Sequence, residues 1–375
     1  MAMTRIGVVG AGAMGRGIAQ VAAQAGCAVT LTDVSSDALE AARDAIEASL
    51  SRAVEKGKLT EDQAEAALAG VVTGTDPGAH GGADLVIEAA VERLDVKAAI
   101  FRDLARAAPG AVLASNTSSL SVGAIGEASG VPVVGLHFFN PAPVMKLVEV
   151  ILPAGGAHLA PALEETLRGW GKTPVRAPDS PGFIVNRCAR PFYGEALALL
   201  EEGTAAASVD AAMVAAGYRM GPFALIDLVG ADVNLAASET VARAMGGHPR
   251  YHVFDALKRQ VAEGRLGRKT GAGFVTPDPG PDGAQPEPAP GAAERIEAAL
   301  VNEAASLAGE GGATEEGIDT AMKLGLNFPR GPFEIVRAAG PAAIRARLEA
   351  LESAAPAHLK GRYAPAPALL DMERA

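Results

Sequence analysis

Along residues 1–150, short apolar runs alternate with stretches whose apolar positions recur at helical spacing. "RIGVVG" (5–10), "AVTLTD" (28–33), "ADLVIEAA" (83–90) and "AVLASN" (111–116) are too short and too uniformly apolar for surface helices, and read as buried strands. Between them, "MGRGIAQVAAQAG" (14–26), residues 36–56 and "LDVKAAIFRDLARAA" (94–108) read as helices. Ser35, Ser36 or Asp37 supplies the N-cap of the long middle one. Such alternation predicts a doubly wound parallel sheet covered by helices on both faces. "VVGLHFF" (133–139) and "KLVEVI" (146–151) close the series as a hairpin turning at Asn140, Pro141, Ala142 and Pro143.

Beyond "DSPGFIVNR" (179–187) the pattern is helical only, as in "RPFYGEALALLEEG" (190–203) and "VFDALKRQVAEG" (253–264). Residues 276–292 are mostly Pro, Gly and acid, the composition of an exposed linker. After it the chain repeats itself: Glu195, Asp210 and Gly221-Pro222-Phe223 return as Glu303, Asp319 and Gly331-Pro332-Phe333. The predicted domains are therefore a sheet domain at 1–180, a helical domain at 181–276, a linker at 277–292 and a second helical copy at 293–375.

Composition narrows the class. Hydrophobic residues make up 49% and charged residues 21%, as in an ordinary globular protein. Two cysteines leave no disulfide framework or metal site to expect, and fit a reducing cytoplasm. No apolar run approaches a membrane span. A net charge of −11 argues against nucleic acid or an anionic membrane as partner.

Two patterns carry chemistry. In "GVVGAGAMGRGIA", Gly10, Gly12 and Gly15 stand at G-x-G-x-x-G spacing between strand and helix, enclosing Ala13 and Met14. Gly10 permits the turn, Gly12 lets a pyrophosphate approach, Gly15 lets helix and strand pack, and the helix N-terminus favours phosphate. Asp33, ending the second strand, can accept the ribose hydroxyls and would repel an extra phosphate, so NAD is expected over NADP. The hairpin supplies the second pattern: His137 and Glu149 lie symmetrically about Pro143, so folding there brings imidazole and carboxylate together. From that stretch alone a satisfied core histidine with a chance acid nearby is the better account.

"SNTSSL" (115–120), "HFFNPAPVMKLVEV" (137–150) and "DSPGFIVNR", with "GAGAMGRGIA", "IEAAVERLDVKAAIF" (87–101) and "GRLGRKTGAGF" (264–274), together resemble the L-3-hydroxyacyl-CoA dehydrogenase family over nearly the whole chain. The resemblance implies a Rossmann-type α/β domain followed by duplicated all-α domains. It implies NAD-dependent oxidation of an L-3-hydroxyacyl-CoA to the 3-oxoacyl-CoA, of the kind used in fatty-acid or aromatic-acid degradation. His137 would be the base, Glu149 the acid that orients it, Ser118 the hydroxyl at the substrate oxygen and Asn186 the amide near the reacting carbonyl. Asn140 would lie by the nicotinamide, Glu92, Lys97 and Lys269 would contact the cofactor, and Ser49 and Lys56 would touch coenzyme A. Simpler accounts stand beside several of these: Thr117 and Ser118 as turn caps, Lys56 and Lys58 as a solvated helix end, Asn186 as a local cap. The loop from Ser118 to His137 is slightly shorter than in animal mitochondrial members, which puts the shape of the pocket rim in question.

In the second copy Glu294 stands where Asn186 does, while Arg295 keeps the slot of Arg187, so that copy is expected to be non-catalytic. It is expected to pack on the first as an internal pseudo-dimer shielding the active-site cleft; a homodimer is the other arrangement. The acyl group stays open between 3-hydroxybutyryl and 3-hydroxyadipyl. The rival functions are a free hydroxy-acid dehydrogenase of the L-gulonate type and a crystallin-like structural protein retaining a dinucleotide fold. Ser49, Lys56 and the apolar "NPAPVMK" turn favour the CoA ester.

Overall fold

The computed structural model describes residues 2–276 and 286–374. The chain divides into two compact units, Met1–Ser180 and Pro181–Ala375. Residues 277–285 of the expected linker lie outside the described residues.

The first unit runs β1 (Arg5–Val9), α1 (Ala13–Gln24), β2 (Ala28–Thr32), α2 (Ser36–Glu55), α3 (Glu61–Ala69), β3 (Val71–Gly74) and β4 (Leu85–Glu88). It continues with α4 (Leu94–Ala107), β5 (Val112–Ser115), α5 (Val122–Ser129), β6 (Val134–Phe138), β7 (Leu147–Ile151), α6 (Ala160–Gly169) and β8 (Thr173–Ala177). All eight strands form one sheet in the order β3-β2-β1-β4-β5-β6-β7-β8. It is parallel through β6, β7 runs antiparallel to β6, and β8 parallel to β7. The expected doubly wound α/β fold is thus present. The order reverses between β1 and β4, which opens the crevice where such sheets take ligands. On α2, Leu39, Ala42, Ile46 and Leu50 form the buried stripe, and the Ser35 hydroxyl accepts the Ala38 N–H at 3.2 Å as its cap. The apolar pattern names neither β3 nor β8. Both are edge strands, and β8 carries Pro174, tolerated there because an edge leaves one side of a strand unpaired.

The second unit is helical: α7 (Val185–Glu201), α8 (Ala206–Ala215), α9 (Pro222–Val229), α10 (Ala231–Ala244) and α11 (Asp255–Ala262), then α12 (Ala292–Gly309), α13 (Glu315–Leu326), α14 (Pro332–Ala339), α15 (Pro341–Ala354) and α16 (Pro367–Arg374). The repeat extends over five helices in each copy. Its Gly-Pro-Phe signature has a local cause: Asp210 accepts the N–H groups of Phe223 and Ala224, at 2.9 and 2.7 Å, at the start of α9. A Cβ on Gly221 would sit 2.3 Å from that carboxylate. Asp319 caps α14 in the same way through the Phe333 N–H at 2.7 Å, with the same crowding at Gly331.

The copies are joined through α7 and α12 by a reciprocal clasp. Glu195, fully buried, accepts from Arg362 Nε at 2.7 Å, Arg295 Nε at 2.9 Å and Tyr363 Oη at 3.1 Å. Glu303, its counterpart, accepts from Arg187 Nε at 2.5 Å, Tyr251 Oη at 2.6 Å and Arg250 at 3.2 Å. Arg295 then forks onto Glu202, and Arg187 onto Glu310. These partners of each buried glutamate all come from the other copy. Within the second unit the two copies thus pack on each other through paired buried glutamates. Among the described residues no helix is long and apolar enough to cross a membrane.

Breaking such a buried pair leaves a stranded charge. Glu195→Ala, which strips Arg362 of its carboxylate, is expected to cost about 3–5 kcal/mol in urea unfolding. A loss under about 1 kcal/mol, the worth of a surface pair, would refute this account of the clasp.

Candidate active site

The β6–β7 register sets His137 directly opposite Glu149. Cross-strand partners share a face of the sheet, so the side chains meet: Nδ1 of His137 lies 2.5 Å from Oε2 of Glu149. The histidine is 5% exposed and the glutamate fully buried. A carboxylate on Nδ1 can hold the imidazole in one tautomer and orientation. The ring of Phe139 packs on the imidazole with centroids 4.5 Å apart. Asn116, on the loop after β5, accepts the Phe138 N–H at 2.9 Å and ties the end of β6 to its neighbour.

At the other end of the crevice, the Gly10 N–H donates to the Thr32 carbonyl at 2.7 Å. Gly10 has φ +103° and a Cβ there would lie 2.6 Å from the Ala89 carbonyl oxygen, so no other residue fits. A Cβ on Gly15 would lie 1.7 Å from the Gly10 carbonyl oxygen, whereas one on Gly12 would meet nothing within 4 Å. The third glycine is thus a packing requirement, and the second faces open space where a ligand can approach the backbone. Neither a side-chain cap nor an acidic residue occupies the first turn of α1, where Ala13 and Met14 begin the helix, and its N–H groups suit a pyrophosphate. Asp33 accepts the Ala11 N–H at 2.7 Å on one oxygen and the Ser35 N–H at 3.0 Å on the other. Each oxygen keeps lone-pair capacity for a ribose hydroxyl. These residues fit a dinucleotide.

Ser118 is exposed on the loop after β5, and Glu92 shapes that loop. One Glu92 oxygen accepts the Thr117 hydroxyl at 2.6 Å, the Ser119 hydroxyl at 2.9 Å, and the N–H groups of Ser118 and Ser119 at 3.0 Å. Burial raises the Glu92 pKa, but the Thr117 hydroxyl, Lys97 and the Ser119 hydroxyl outweigh it and hold the carboxyl below its ordinary range. Lys97, expected at the cofactor, is instead 1% exposed, its ammonium 2.7 Å from Glu88 and 3.2 Å from Glu92. Glu88 in turn accepts from Ser115 at 2.7 Å. The structure brings Glu92 and Lys97 to the Ser118 loop as its support.

Asn140 is exposed at the hairpin turn. Ser49, half-buried, and Lys56, exposed at the C-cap, stand seven residues apart on one face of α2 and its cap, with exposed Arg52 between them. In the second unit, Asn186 lies in the first turn of α7, where its carbonyl accepts from Arg190 at 3.0 Å. Lys269 pairs with Asp232, Nζ lying 2.5 and 2.7 Å from its two oxygens. The sequence reading passed over Asn116, Glu88 and Lys172. Glu88 carried a signal, an acid closing an otherwise apolar strand; the other two carried none.

Residues 5–180 match the family described as 3-hydroxyacyl-CoA dehydrogenase, NAD binding domain. Residues 182–277 and again 292–375 match 3-hydroxyacyl-CoA dehydrogenase, C-terminal domain. The 3-hydroxyadipyl-CoA dehydrogenase of Escherichia coli K12 is 48% identical over 274 residues, 72% of this chain and 58% of that protein's length. The probable 3-hydroxybutyryl-CoA dehydrogenase of Deinococcus radiodurans is 41% identical over 276 residues, covering 72% of this chain and 99% of the relative. Among solved structures, 3-hydroxybutyryl-CoA dehydrogenase from E. coli K12 substr. MG1655 superposes with TM-score 0.92 at 34% identity, covering 100% of this chain and 99% of that one.

Replacing Asp33 with Ser removes the charge facing the ribose edge while keeping a small polar side chain. The ratio of kcat/KM for NADP to that for NAD is expected to rise about tenfold or more, a shift of about 1.4 kcal/mol. An unchanged ratio would remove Asp33 from cofactor selection.

Proposed function

The chain belongs to the 3-hydroxyacyl-CoA dehydrogenase family, NAD-dependent oxidoreductases of 3-hydroxyacyl-CoA, and we propose that it oxidises an L-3-hydroxyacyl-CoA to the 3-oxoacyl-CoA with His137 as the base. The observation that carries this reading is the buried His137–Glu149 pair, 2.5 Å apart, on the sheet that also presents the glycine turn. Bound NAD supplies the hydride acceptor.

Nε2 of His137 takes the hydroxyl proton as the carbon–hydrogen bond breaks, and a positioned histidine base contributes ~10²–10⁴-fold. Glu149 holds the imidazole in the tautomer with hydrogen on Nδ1 and stabilises the imidazolium that results. Ser118 and Asn186 are assigned as donors to the oxygen that becomes the carbonyl. Gly10, Gly12, Ala13, Met14 and Gly15 are assigned to the pyrophosphate, Asp33 to the ribose, and Asn140 to the nicotinamide. Glu92 and Lys97 are assigned to the loop beside the cofactor, and Lys269 stays assigned to the cofactor itself. Ser49 and Lys56 are assigned to coenzyme A, Lys56 supplying a cation that this acidic chain needs for an anionic handle. The cytoplasm is the proposed compartment, since a chain with only two cysteines suits a reducing environment.

Mixing protein, NADH and acetoacetyl-CoA is expected to bleach the NADH absorbance, and His137→Ala to slow that loss by ~10²–10⁴-fold. No turnover by folded wild type with either acetoacetyl-CoA or 3-oxoadipyl-CoA would overturn the reading, and the ratio between the two assigns the acyl group.

The clasp sets the proposed assembly: the second copy takes the place of a partner subunit, so the whole chain is expected to be monomeric. A chain ending at residue 276 exposes Glu195 without Arg295, Arg362 and Tyr363. It is expected to recover partners by self-association, Arg187, Arg250 and Tyr251 of one copy taking Glu195 of another. Light scattering that finds the truncated chain folded, monomeric and fully active would exclude this.

A further inference from the structure

Lys172, between α6 and β8, is 7% exposed and makes no ion pair among the described residues. Burying an ammonium without a counter-ion is costly, and desolvation pushes its pKa down to about 8. Its ammonium donates instead to two carbonyls of the β6–β7 turn, Ala142 at 2.5 Å and Met145 at 2.8 Å. The turn's own N–H bonds go elsewhere: Val144 and Met145 both donate to the Pro141 carbonyl, at 2.9 and 3.0 Å. Lys172 therefore supplies donors that the turn itself does not.

The turn is also packed against α1. A Cβ added to Gly17 would lie 3.2 Å from the Ala142 Cβ and 3.3 Å from the Pro143 Cδ, so the helix backbone rests closely against the turn. The Thr173 N–H adds a bond to the Lys146 carbonyl at 2.7 Å, next to the ammonium. The turn is thus held between the cofactor helix and the start of β8. Asn140 stands on it, three residues beyond His137.

We propose that Lys172 is a positioning residue for cofactor binding: by fixing the carbonyls of Ala142 and Met145 it sets the turn that presents Asn140 to the nicotinamide end of NAD. The proposal rests on the assignment of Asn140 given above. A staple that served stability alone would be replaceable at a cost in melting temperature only. One that sets the turn governs KM for the cofactor apart from KM for the acyl-CoA.

The test is steady-state kinetics of the full chain with NADH and acetoacetyl-CoA, beside a fluorescence titration of NADH alone. Lys172→Met keeps the length of the side chain and removes its donors. Its KM and Kd for NADH are expected to rise roughly tenfold, while KM for acetoacetyl-CoA changes by less than about twofold. An unchanged NADH affinity with a lowered melting temperature would overturn the proposal, and so would an equal rise in both KM values. Gly17→Ala presses on the same turn from α1 and tests the same idea should Lys172→Met not fold. It is expected to weaken NADH selectively, and unaltered NADH affinity in it would count against the proposal. Asn140→Ala separates the two assignments. Normal NADH affinity there overturns the role of Asn140, whereas weak binding there with normal binding in Lys172→Met overturns the role of Lys172 alone.

Discussion

Everything at the candidate site depends on giving a close partner to one carboxyl group buried inside a sheet. Glu149 is fully buried, and an isolated ion taken out of water loses several kcal/mol that only a close partner restores. The antiparallel register of β6 and β7 provides that partner by placing His137 opposite it. A shift of one residue would send the two side chains to opposite faces of the sheet, leaving the carboxylate stranded. The bonds at the turn end of the hairpin therefore help to hold this register. Asn116 holds β6 to the loop that continues into Ser118, and Lys172 holds the turn.

The same economy appears in the Ser118 loop. Thr117, Ser118 and Ser119 offer two hydroxyls and two N–H groups toward a single oxygen of Glu92. That much donor density favours a negative charge, and Lys97, 3.2 Å away, helps hold the Glu92 pKa below its ordinary range. Lys97 in turn is tolerable there only because Glu88 lies beside it. The chain of charges runs from β4 through α4 to the loop, so the Ser118 loop is anchored to the centre of the sheet.

How much of this could be read without coordinates divides along physical lines. Features that depend on periodicity or local geometry were legible: the alternation of strands and helices, the glycine turn whose third member leaves no room for a Cβ, and the hairpin symmetry that pairs His137 with Glu149. The Gly-Pro-Phe repeat was visible too, although its cause, an aspartate packed onto the glycine, needed the fold. Features that depend on long-range burial were not. Lys97 sits on an amphipathic helix where a lysine reads as solvent-facing, and only the placement of Glu88 across the strand end explains its burial. Lys172 follows a helix end, the usual place for a solvated cation, and its target carbonyls lie about thirty residues earlier. Edge strands β3 and β8 were silent because an edge does not demand the apolar run that a central strand does.

The duplicated domain shows which constraints both copies of the helical fold share and which position only the first keeps. Glu294 replaces the amide of Asn186, yet Arg295, one residue on, preserves the contact that Arg187 makes. The same is true of Arg362 and Tyr363 against Arg250 and Tyr251. The amide at that position is dispensable to the second copy's fold. An arginine facing a buried glutamate is not, because its loss exposes the glutamate's desolvation in full. Reciprocity makes this stricter: each copy supplies the cations for the other's carboxylate, so neither half can relax independently. The clasp therefore explains both why the second copy persists in the fold and why its sequence is free to diverge at the position that Asn186 occupies in the first.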